Sequence, residues 1–400
     1  MAQRVQGFGT SIFSEMSALA AQHQAINLSQ GFPDFAGPAH VKEAAIAAIM
    51  ADHNQYAPSP GVPALRQAIA ATYGSAYGLD VTAADVTVTC GATEALCAVL
   101  LAVVNPGDEV IIFEPAYDAY GPDTIMAGGV PRYVRLEPPQ TTDHAEDSDH
   151  APWSFDPAAL RSAFGPKTRA IIVNTPHNPT GKVFSRDELE LIARLCVEHH
   201  VIAIADEVYD RMIYTGQHVP IATLPGMWPR SITINSTGKT FSMTGWKIGY
   251  TIAPPPLTEA IRRVHQFSTF AVATPFQHAM AAALDDALRS HYYAELLDFY
   301  RQRRNMLVEI LRASGFEVAS PAGTYFVMAG IRSWGFDSDV AFCRHLTTEV
   351  GVAAIPPSAF YAQPETAPLM ARFCFAKEIA TLQAAAERLQ RRTTGVGSAT

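Results

Sequence analysis

Short apolar runs alternate with stretches of helical periodicity from about residue 85 onward. Because these runs are apolar at consecutive positions, they are typical of strands that helices cover on both faces of a mostly parallel sheet. The predicted strands are residues 86–90, 108–115, 168–176, 201–207, 231–237 and 247–254. The pattern therefore predicts an α/β fold. Ligands bind beyond the carboxyl ends of the strands in such sheets, so the polar residues that follow these runs are candidates for a functional site.

A different pattern follows a long amphipathic helix that is predicted over residues 291–314. Residues 316–330 and 371–378 are predicted to hold the strands of a smaller α+β unit, and a helix over residues 379–392 completes it. The tail from residue 393 is predicted to fray.

The length of the chain bears on its domain organisation. Four hundred residues exceed what one hydrophobic core usually holds, so about two domains are expected. We predict an N-terminal arm with part of the small domain (1–45), a large domain (46–290) and a C-terminal small domain (291–400). The acidic residues, His144 and His150 of the polar stretch 138–154 are interpreted as a solvated loop rather than as metal ligands, and no metal site is predicted.

Charge and cysteine usage exclude several classes of protein. The chain has 29 Lys and Arg against 38 Asp and Glu, and it contains no basic run, which argues against nucleic acid or an anionic membrane as the main partner. The five cysteines are scattered without CxxC spacing, so neither a zinc site nor a disulfide framework is predicted. The N-terminus lacks the apolar core of a signal peptide, and the longest apolar run (95–104) is too short to span a bilayer. These features predict a cytoplasmic protein.

The segment Ser236-Thr-Gly-Lys-Thr240 raises the hypothesis of a nucleotide-phosphate loop, since residues 202–207 look like the acidic strand of such an enzyme. A phosphate loop needs a glycine five positions before the glycine of its Gly-Lys pair, and position 233 is Thr. The acidic strand also precedes the Gly-Lys pair, whereas it normally follows it. We therefore set the NTPase hypothesis aside.

A lysine that forms a Schiff base explains the same residues better. Pyridoxal 5'-phosphate (PLP) needs a lysine for its aldehyde, an acid for its ring nitrogen, donors for its phenolate and a cup for its phosphate. The chain offers a candidate for each need.

Six segments, in one order along the chain, together resemble the class I/II aminotransferases of PLP fold type I. Three carry the resemblance to the family as a whole: 174–183 (NTPHNPTGKV), 206–210 (DEVYD) and 236–250 (STGKTFSMTGWKIGY). Three more resemble the kynurenine/glutamine aminotransferase-like branch, and most closely its bacterial methionine aminotransferases: 26–35, 54–70 and 371–378. The resemblance implies the PLP-dependent transferase fold type I, with a large domain and a smaller α+β domain.

The resemblance implies a role for four residues around the reacting centre. Lys239 would bind the cofactor aldehyde and, once displaced, move a proton between the substrate Cα and the cofactor. Asp206 would hold the proton of the pyridine nitrogen. Tyr209 and Asn178 would donate hydrogen bonds to the phenolate, and the Asn178–Pro179 bond is a candidate for the cis form.

The resemblance also implies a phosphate cup. One part is the turn from strand to helix at Gly91, Ala92 and Thr93, where free amides and the positive end of the helix would face the anion. The other part is Ser236 with Lys247.

Two aromatic residues complete the cofactor site by the same resemblance. Tyr117 would stack on the pyridine ring. Tyr56 would reach the phosphate from a neighbouring subunit, which implies a homodimer with shared sites.

For the substrate, the resemblance implies that Arg372 grips the α-carboxylate with a bidentate fork and that the backbone of Gly31 approaches it. Phe13, Tyr56 and Phe270 would line the side-chain pocket, with Phe270 supplied by the partner subunit. Aromatic walls suit thioether and ring side chains.

We therefore predict a PLP-dependent aminotransferase that moves the amino group of methionine or an aromatic amino acid to a 2-oxo acid by a ping-pong mechanism. A PLP-dependent C–S β-lyase uses the same lysine and acid and is the alternative. A PLP-binding regulatory module is disfavoured, because only about 25 residues without a basic cluster precede residue 26.

Overall fold

The computed structural model describes residues 1–9, 11–139 and 152–395. The strands are β1 (Ile26–Asn27), β2 (Val86–Cys90), β3 (Glu109–Glu114), β4 (Val130–Arg135), β5 (Thr168–Asn174), β6 (Ile202–Asp206), β7 (Ser231–Ser236), β8 (Ile248–Ile252), β9 (Glu317–Val318), β10 (Phe326–Gly330), β11 (Val352–Ala353) and β12 (Met370–Cys374). The helices are α1 (Ile12–Gln22), α2 (Ala39–Met50), α3 (Pro63–Tyr77), α4 (Gly91–Val103), α5 (Tyr120–Met126), α6 (Pro157–Ala163), α7 (Arg186–Glu198), α8 (Thr237–Thr240), α9 (Pro255–Ser268), α10 (Thr274–Arg289), α11 (Tyr292–Ala313), α12 (Asp339–His345) and α13 (Ile379–Gly395).

Seven strands form the main sheet in the order β2-β8-β7-β6-β5-β3-β4. β8 runs antiparallel to both of its neighbours, and the other pairs are parallel. The predicted α/β class with a mostly parallel sheet is confirmed.

The apolar runs are explained by burial on both faces of this sheet. In β3, Ile111 and Phe113 pack into a core on one face, whereas Val110 and Ile112 pack into another core on the opposite face. Successive side chains of a strand point to opposite faces, so a sheet that is covered twice needs apolar residues at consecutive positions.

The smaller part of the fold contains two sheets. β9, β10 and β12 form an antiparallel sheet, and β1 pairs in parallel with β11. One apolar core joins Met16 and Leu28, from the beginning of the chain, to Tyr325, Phe342 and Phe373. The N-terminal segment thus packs with the C-terminal part of the chain, while the domain boundaries themselves stay predictions.

Local signals explain where individual helices begin. At α7, the Ser185 hydroxyl accepts a hydrogen bond from the Glu188 amide (3.2 Å), and the Glu188 carboxylate accepts one from the Ser185 amide (2.8 Å). This reciprocal pair satisfies two amides that the helix leaves without partners.

Two predictions concern the less regular parts of the chain. α13 continues to Gly395, three residues beyond the predicted helix end at residue 392, because no glycine or proline interrupts the helix before that glycine. Residues 396–400 lie outside the described part, as do His144 and His150 of the predicted polar loop. No helix within the described ranges is long and apolar enough to cross a membrane.

Candidate active site

A cavity of about 380 Å³ lies at the carboxyl ends of β5, β6 and β7, whose last residues Asn174, Asp206 and Ser236 all line it. Most of the residues that the sequence singled out also line it. They are Phe13, Gly31, Gly91, Ala92, Thr93, Tyr117, Asn178, Asp206, Tyr209, Ser236, Lys239, Lys247 and Arg372. The structure therefore brings together residues that are up to about 360 positions apart in the chain.

Lys239 lies on the single turn of α8, where the Ser236 hydroxyl accepts a hydrogen bond from the Gly238 amide (3.1 Å). Its Nζ donates to the hydroxyl of Tyr325 (2.8 Å) and lies 3.4 Å from the carbonyl oxygen of Gly31. Burial lowers the pKa of Lys239 to about 8, although the nearby Cys374 and Asp206 act in the opposite direction. A substantial fraction of this amine is thus unprotonated near neutral pH, as a nucleophile or a base requires.

Asp206 is the last residue of β6 and is 8% exposed. Its Oδ2 accepts a hydrogen bond from the hydroxyl of Tyr120 (2.6 Å), and its Oδ1 accepts one from the Val208 amide (3.3 Å). Burial raises the pKa of Asp206 to about 6, although these two donors lower it. The carboxylate is therefore ionised at neutral pH and faces the cavity without an opposite charge in direct contact, which suits a cationic ring N–H.

Arg372 lies on β12 and is 1% exposed. Its Nη1 donates to Oδ1 of Asn178 (3.0 Å) and its Nη2 donates to the carbonyl oxygen of Ser29 (3.0 Å). Its Nε has no hydrogen-bond partner among the described residues. Burial lowers the pKa of Arg372 to about 10. The Arg372 side chain lines the cavity, and a guanidinium in this position is suited to bind a carboxylate of a ligand.

The opposite end of the cavity is built for an anion. Gly91 opens α4 with φ +72°, and a Cβ at this position would come within 2.9 Å of Lys247 Nζ. Lys247 Nζ donates to the Thr93 hydroxyl (3.3 Å). The free amides of the first turn of α4, the Thr93 hydroxyl and an ammonium group therefore converge at one point, where only glycine leaves room for them.

Two predicted site residues lie outside this cavity. Tyr56 is 84% exposed and Phe270 is 47% exposed, and their rings contact each other edge-on at a centroid distance of 5.3 Å. They form a protruding aromatic pair on the surface of the single chain. Their assignment to the site of a neighbouring subunit stays a prediction.

Several residues of the site were missed by the sequence reasoning. Tyr120 donates to Asp206, Tyr325 accepts from Lys239, and Asn174 donates from Nδ2 to the carbonyl oxygen of Asp206 (2.9 Å) and accepts from the Asn178 amide (2.7 Å). Asn174 had a usable signal, because it ends a buried strand beside Asp206. Tyr120 and Tyr325 had none that distinguishes them from other core aromatics. The Asn178–Pro179 bond is cis, as expected.

Comparison with known proteins agrees with this geometry. The family model "Aminotransferase class I and II" matches residues 23–389, so the chain belongs to that family. The methionine aminotransferase of Escherichia coli (strain K12) is 45% identical over 386 residues, which cover 96% of each chain. The kynurenine–oxoglutarate transaminase of Dictyostelium discoideum is 40% identical over 418 residues, covering 97% of this chain and 95% of that protein.

Solved structures give the same picture. The N-succinyldiaminopimelate aminotransferase of Mycobacterium tuberculosis matches with a TM-score of 0.92 and 42% identity, over 98% of this chain and 99% of that chain. The chain is thus a transaminase, and the PLP-dependent transferase fold is confirmed. The C–S β-lyase alternative is not favoured, because these relatives are aminotransferases.

The family implies PLP as the cofactor, and the cavity fits it. The guanidinium of Arg372, the carboxylate of Asp206 and the anion site at Gly91 and Lys247 all line this one cavity. They match a substrate carboxylate, a ring N–H and a phosphate.

Proposed function

We propose that the chain binds PLP and transfers the amino group of methionine or an aromatic amino acid to a 2-oxo acid. One observation supports this proposal most: a lysine amine of lowered pKa, a buried carboxylate and a guanidinium with a free donor line one cavity. When bound, PLP supplies an aldehyde for the amino group and a ring that withdraws electrons from Cα.

The chain's own residues would position the substrate and move the proton. Arg372 would bind the α-carboxylate through its fork. Asn178 accepts from Arg372 with its Oδ1, so its NH2 group remains as a donor for the cofactor's phenolate. Lys239 Nζ would take the proton from the substrate Cα, because an amine with a pKa near 8 can both accept and release it.

The cofactor would be held at three further points. Asp206 would hold the proton of the ring nitrogen, and Tyr120 would keep this carboxylate ionised by donating to it. Gly91, Ala92, Thr93, Ser236 and Lys247 would bind the phosphate. Tyr117 would stack on the ring, and Tyr209 would donate to the phenolate.

The identity of the donor is proposed from the walls of the cavity. The Cζ of Arg372 lies 5.1 Å from the ring centroid of Phe13 and 4.1 Å from that of Phe326. A side chain that extends from a carboxylate bound at Arg372 therefore meets aromatic surface, which favours thioether and ring side chains. The names of the relatives include methionine and kynurenine enzymes, in keeping with this choice.

We further propose a homodimer in which Tyr56 and Phe270 enter the partner's site. Their exposure on the single chain supports this part of the proposal, because a large aromatic pair is costly to leave in water. The cytoplasmic location stays a prediction from the sequence.

The test is a covalent trap followed by a donor panel. Protein purified with PLP should absorb in the visible range, and borohydride should fix the cofactor to the chain. Lys239→Ala should abolish this adduct, whereas Lys167→Ala, which removes an exposed lysine, should retain it.

Each donor is then incubated with one 2-oxo acid. Methionine or an aromatic donor should yield a new amino acid without pyruvate or ammonia. A protein that remains colourless with PLP, or an adduct that survives in Lys239→Ala, would overturn the proposal.

A further inference from the structure

Five charged side chains line the cavity: Asp118, Asp206, Lys239, Lys247 and Arg372. The proposed function gives a role to four of them, namely binding the aldehyde, the phosphate, the ring nitrogen and the α-carboxylate. Asp118 is left over. Each of the three cationic side chains that line the cavity already has a proposed role, so none of them is available to bind a second carboxylate of the substrate. The one charged lining residue without a role, Asp118, is negative.

Asp118 lies on the substrate side of the cavity. It is close enough to Arg372 for each charge to affect the pKa of the other group. Burial raises the pKa of Asp118, and Arg372 opposes this increase. No short ion pair between the two side chains is formed within the described ranges, so Arg372 keeps its free Nε while the carboxylate stands nearby.

Asp118 also lies near the segment that brings Phe13 to the cavity, because both residues line it. Ser11, two residues before Phe13, is one of the groups that lower the pKa of Asp118. Ser11 in turn caps α1, because its Oγ accepts a hydrogen bond from the Phe13 amide (3.3 Å). The Asp118 carboxylate therefore lies on the cavity wall near both Arg372 and the beginning of α1.

We propose that Asp118 is a specificity-determining residue that rejects donors and acceptors with an acidic side chain. This inference rests on the proposed function, since it assumes that Arg372 binds the α-carboxylate. A second carboxylate on the substrate would meet the negative charge of Asp118 in a partly desolvated cavity that offers it no cation. A neutral thioether or aromatic side chain meets no such repulsion.

The size of the effect follows from Coulomb's law. At an effective dielectric constant of about 20, two like charges less than about 10 Å apart repel enough to change an equilibrium or rate constant by about tenfold or more. Removing the charge should therefore raise kcat/KM for glutamate by about tenfold. It should leave kcat/KM for methionine within about threefold.

The experiment compares Asp118→Asn, Asp118→Glu and the wild-type holoenzyme, with methionine and glutamate as donors and one neutral 2-oxo acid as acceptor. Asp118→Asn keeps the shape of the side chain, and Asp118→Glu keeps the charge. The glutamate-to-methionine ratio of kcat/KM should rise only in Asp118→Asn. Asp187→Asn makes the same change of net charge at an exposed position of α7 and should leave the ratio unchanged.

A purely structural role of Asp118 predicts a different result, because it would lower kcat/KM for both donors in parallel. An unchanged ratio in Asp118→Asn, or an equal rise in Asp118→Glu, would overturn the inference. If Asp118→Asn fails to bind PLP, Asp118→Ser replaces it, since that substitution also removes the charge.

A second measurement uses competitive inhibition of methionine turnover by pentanoate and glutarate, which have five carbons and differ by one carboxylate. The preference for pentanoate should shrink when the charge of Asp118 is removed, and an undiminished preference would overturn the inference. A wild-type enzyme that binds PLP but transfers no amino group from any neutral donor would instead refute the proposed function.

Discussion

Asp206 and Glu207 are consecutive buried residues, but their side chains lie in two regions that differ in how buried charges are paired. Asp206 faces the cavity, where the nearest charged groups are other ligand-binding candidates. Glu207 is 0% exposed and points the other way, toward Tyr73 and His218. Two neighbours at the end of one strand thus serve different parts of the molecule, because alternate side chains leave a strand on opposite sides.

The region around Glu207 matches each charge with an opposite charge. Its Oε2 accepts from the Tyr73 hydroxyl (3.1 Å) and lies 3.2 Å from His218 Nε2. Burial alone would lower the pKa of His218, but the Glu207 carboxylate outweighs it and the pKa is raised. Close by, Asp210 Oδ2 lies 3.4 Å from Arg211 Nε. We call Tyr73, Tyr77, Glu207, Asp210, Arg211 and His218 the Glu207 cluster.

The comparison indicates that charged residues which bind a ligand and charged residues which stabilise the fold lie in separate regions of the chain. In the cavity, Lys239 has a lowered pKa, Asp206 a raised one, and Arg372 an unused donor. In the Glu207 cluster, each charged group lies beside a group of opposite charge, although Glu207 Oε1 and both ring nitrogens of His218 have no hydrogen-bond partner among the described residues. Substitutions in the cavity should therefore act on catalysis, and substitutions in the cluster should act on stability.

The largest expected effect comes from replacing the carboxylate of each of these two residues, in turn, by its amide. Asp206→Asn should lower kcat by about 10³-fold, because it removes the charge proposed to hold the ring proton. It should not lower the free energy of unfolding, because it removes a carboxylate that burial penalises. Glu207→Gln should lower the free energy of unfolding by about 1–3 kcal/mol, since Tyr73 and His218 lose their contacts with a buried carboxylate.

Steady-state kinetics and urea unfolding of both variants check this separation. Glu207→Gln should keep kcat within about tenfold of the wild type when assayed below its unfolding transition. A catalytic loss as large as that of Asp206→Asn in a variant of unchanged stability would show that the two regions are not separate.

The sequence predicted this contrast in part. Alternation along a strand indicates that Glu207 points away from Asp206, and the DEVYD segment was enough to mark Asp206 as a site residue. His218 could not be assigned to Glu207, because nothing local relates a loop histidine to a carboxylate eleven residues before it. Only the packing of α3 beneath the sheet, which brings Tyr73 and Tyr77 to this place, completes the cluster.

The same limit applies to the fold and to the cavity. Burial on both faces made six of the seven strands of the main sheet predictable to within about two residues, whereas the edge strand β4, which is largely exposed and not continuously apolar, was missed. Thirteen of the predicted site residues line one cavity, and their roles remain proposals. Tyr120, Tyr325 and Asp118 were missed because their importance arises from tertiary contacts. An aromatic or an acid at such positions has no distinguishing sequence pattern.

Asp123 offers an intermediate case, a buried carboxylate that belongs to neither region. It lies on α5, is 7% exposed, and its Oδ2 has no hydrogen-bond partner among the described residues. Burial, and then the charge of Asp118, raise its pKa from 3.8 to about 7. Asp123→Asn should therefore stabilise the protein by about 2–4 kcal/mol above pH 7.

The pH dependence of this gain has a definite sign. Between about pH 4 and pH 7 the unfolded chain has lost the Asp123 proton while the folded chain keeps it, so wild-type stability falls as pH rises. The advantage of Asp123→Asn should be absent near pH 3.5, grow up to about pH 7 and then remain constant. Thermal unfolding at a series of pH values measures it, and a gain that is largest at low pH would contradict the assignment.

The smallest expected effect concerns the hydrogen bond between Tyr77 and Asp210 in the Glu207 cluster. The Tyr77 hydroxyl donates to Asp210 Oδ2 (2.7 Å), and the same oxygen is also next to Arg211. Tyr77→Phe should lower the free energy of unfolding by about 1–2 kcal/mol and leave kcat unchanged, because Asp210 loses one donor but keeps its counter-charge. Tyr214→Phe is the matched control, since that hydroxyl donates at the same distance (2.7 Å) to the neutral carbonyl of Thr324. If the charge of the acceptor strengthens the Tyr77–Asp210 hydrogen bond, urea unfolding should show a larger loss of stability for Tyr77→Phe than for Tyr214→Phe. Equal losses would show that the Tyr77–Asp210 bond contributes no more than a hydrogen bond to a neutral carbonyl.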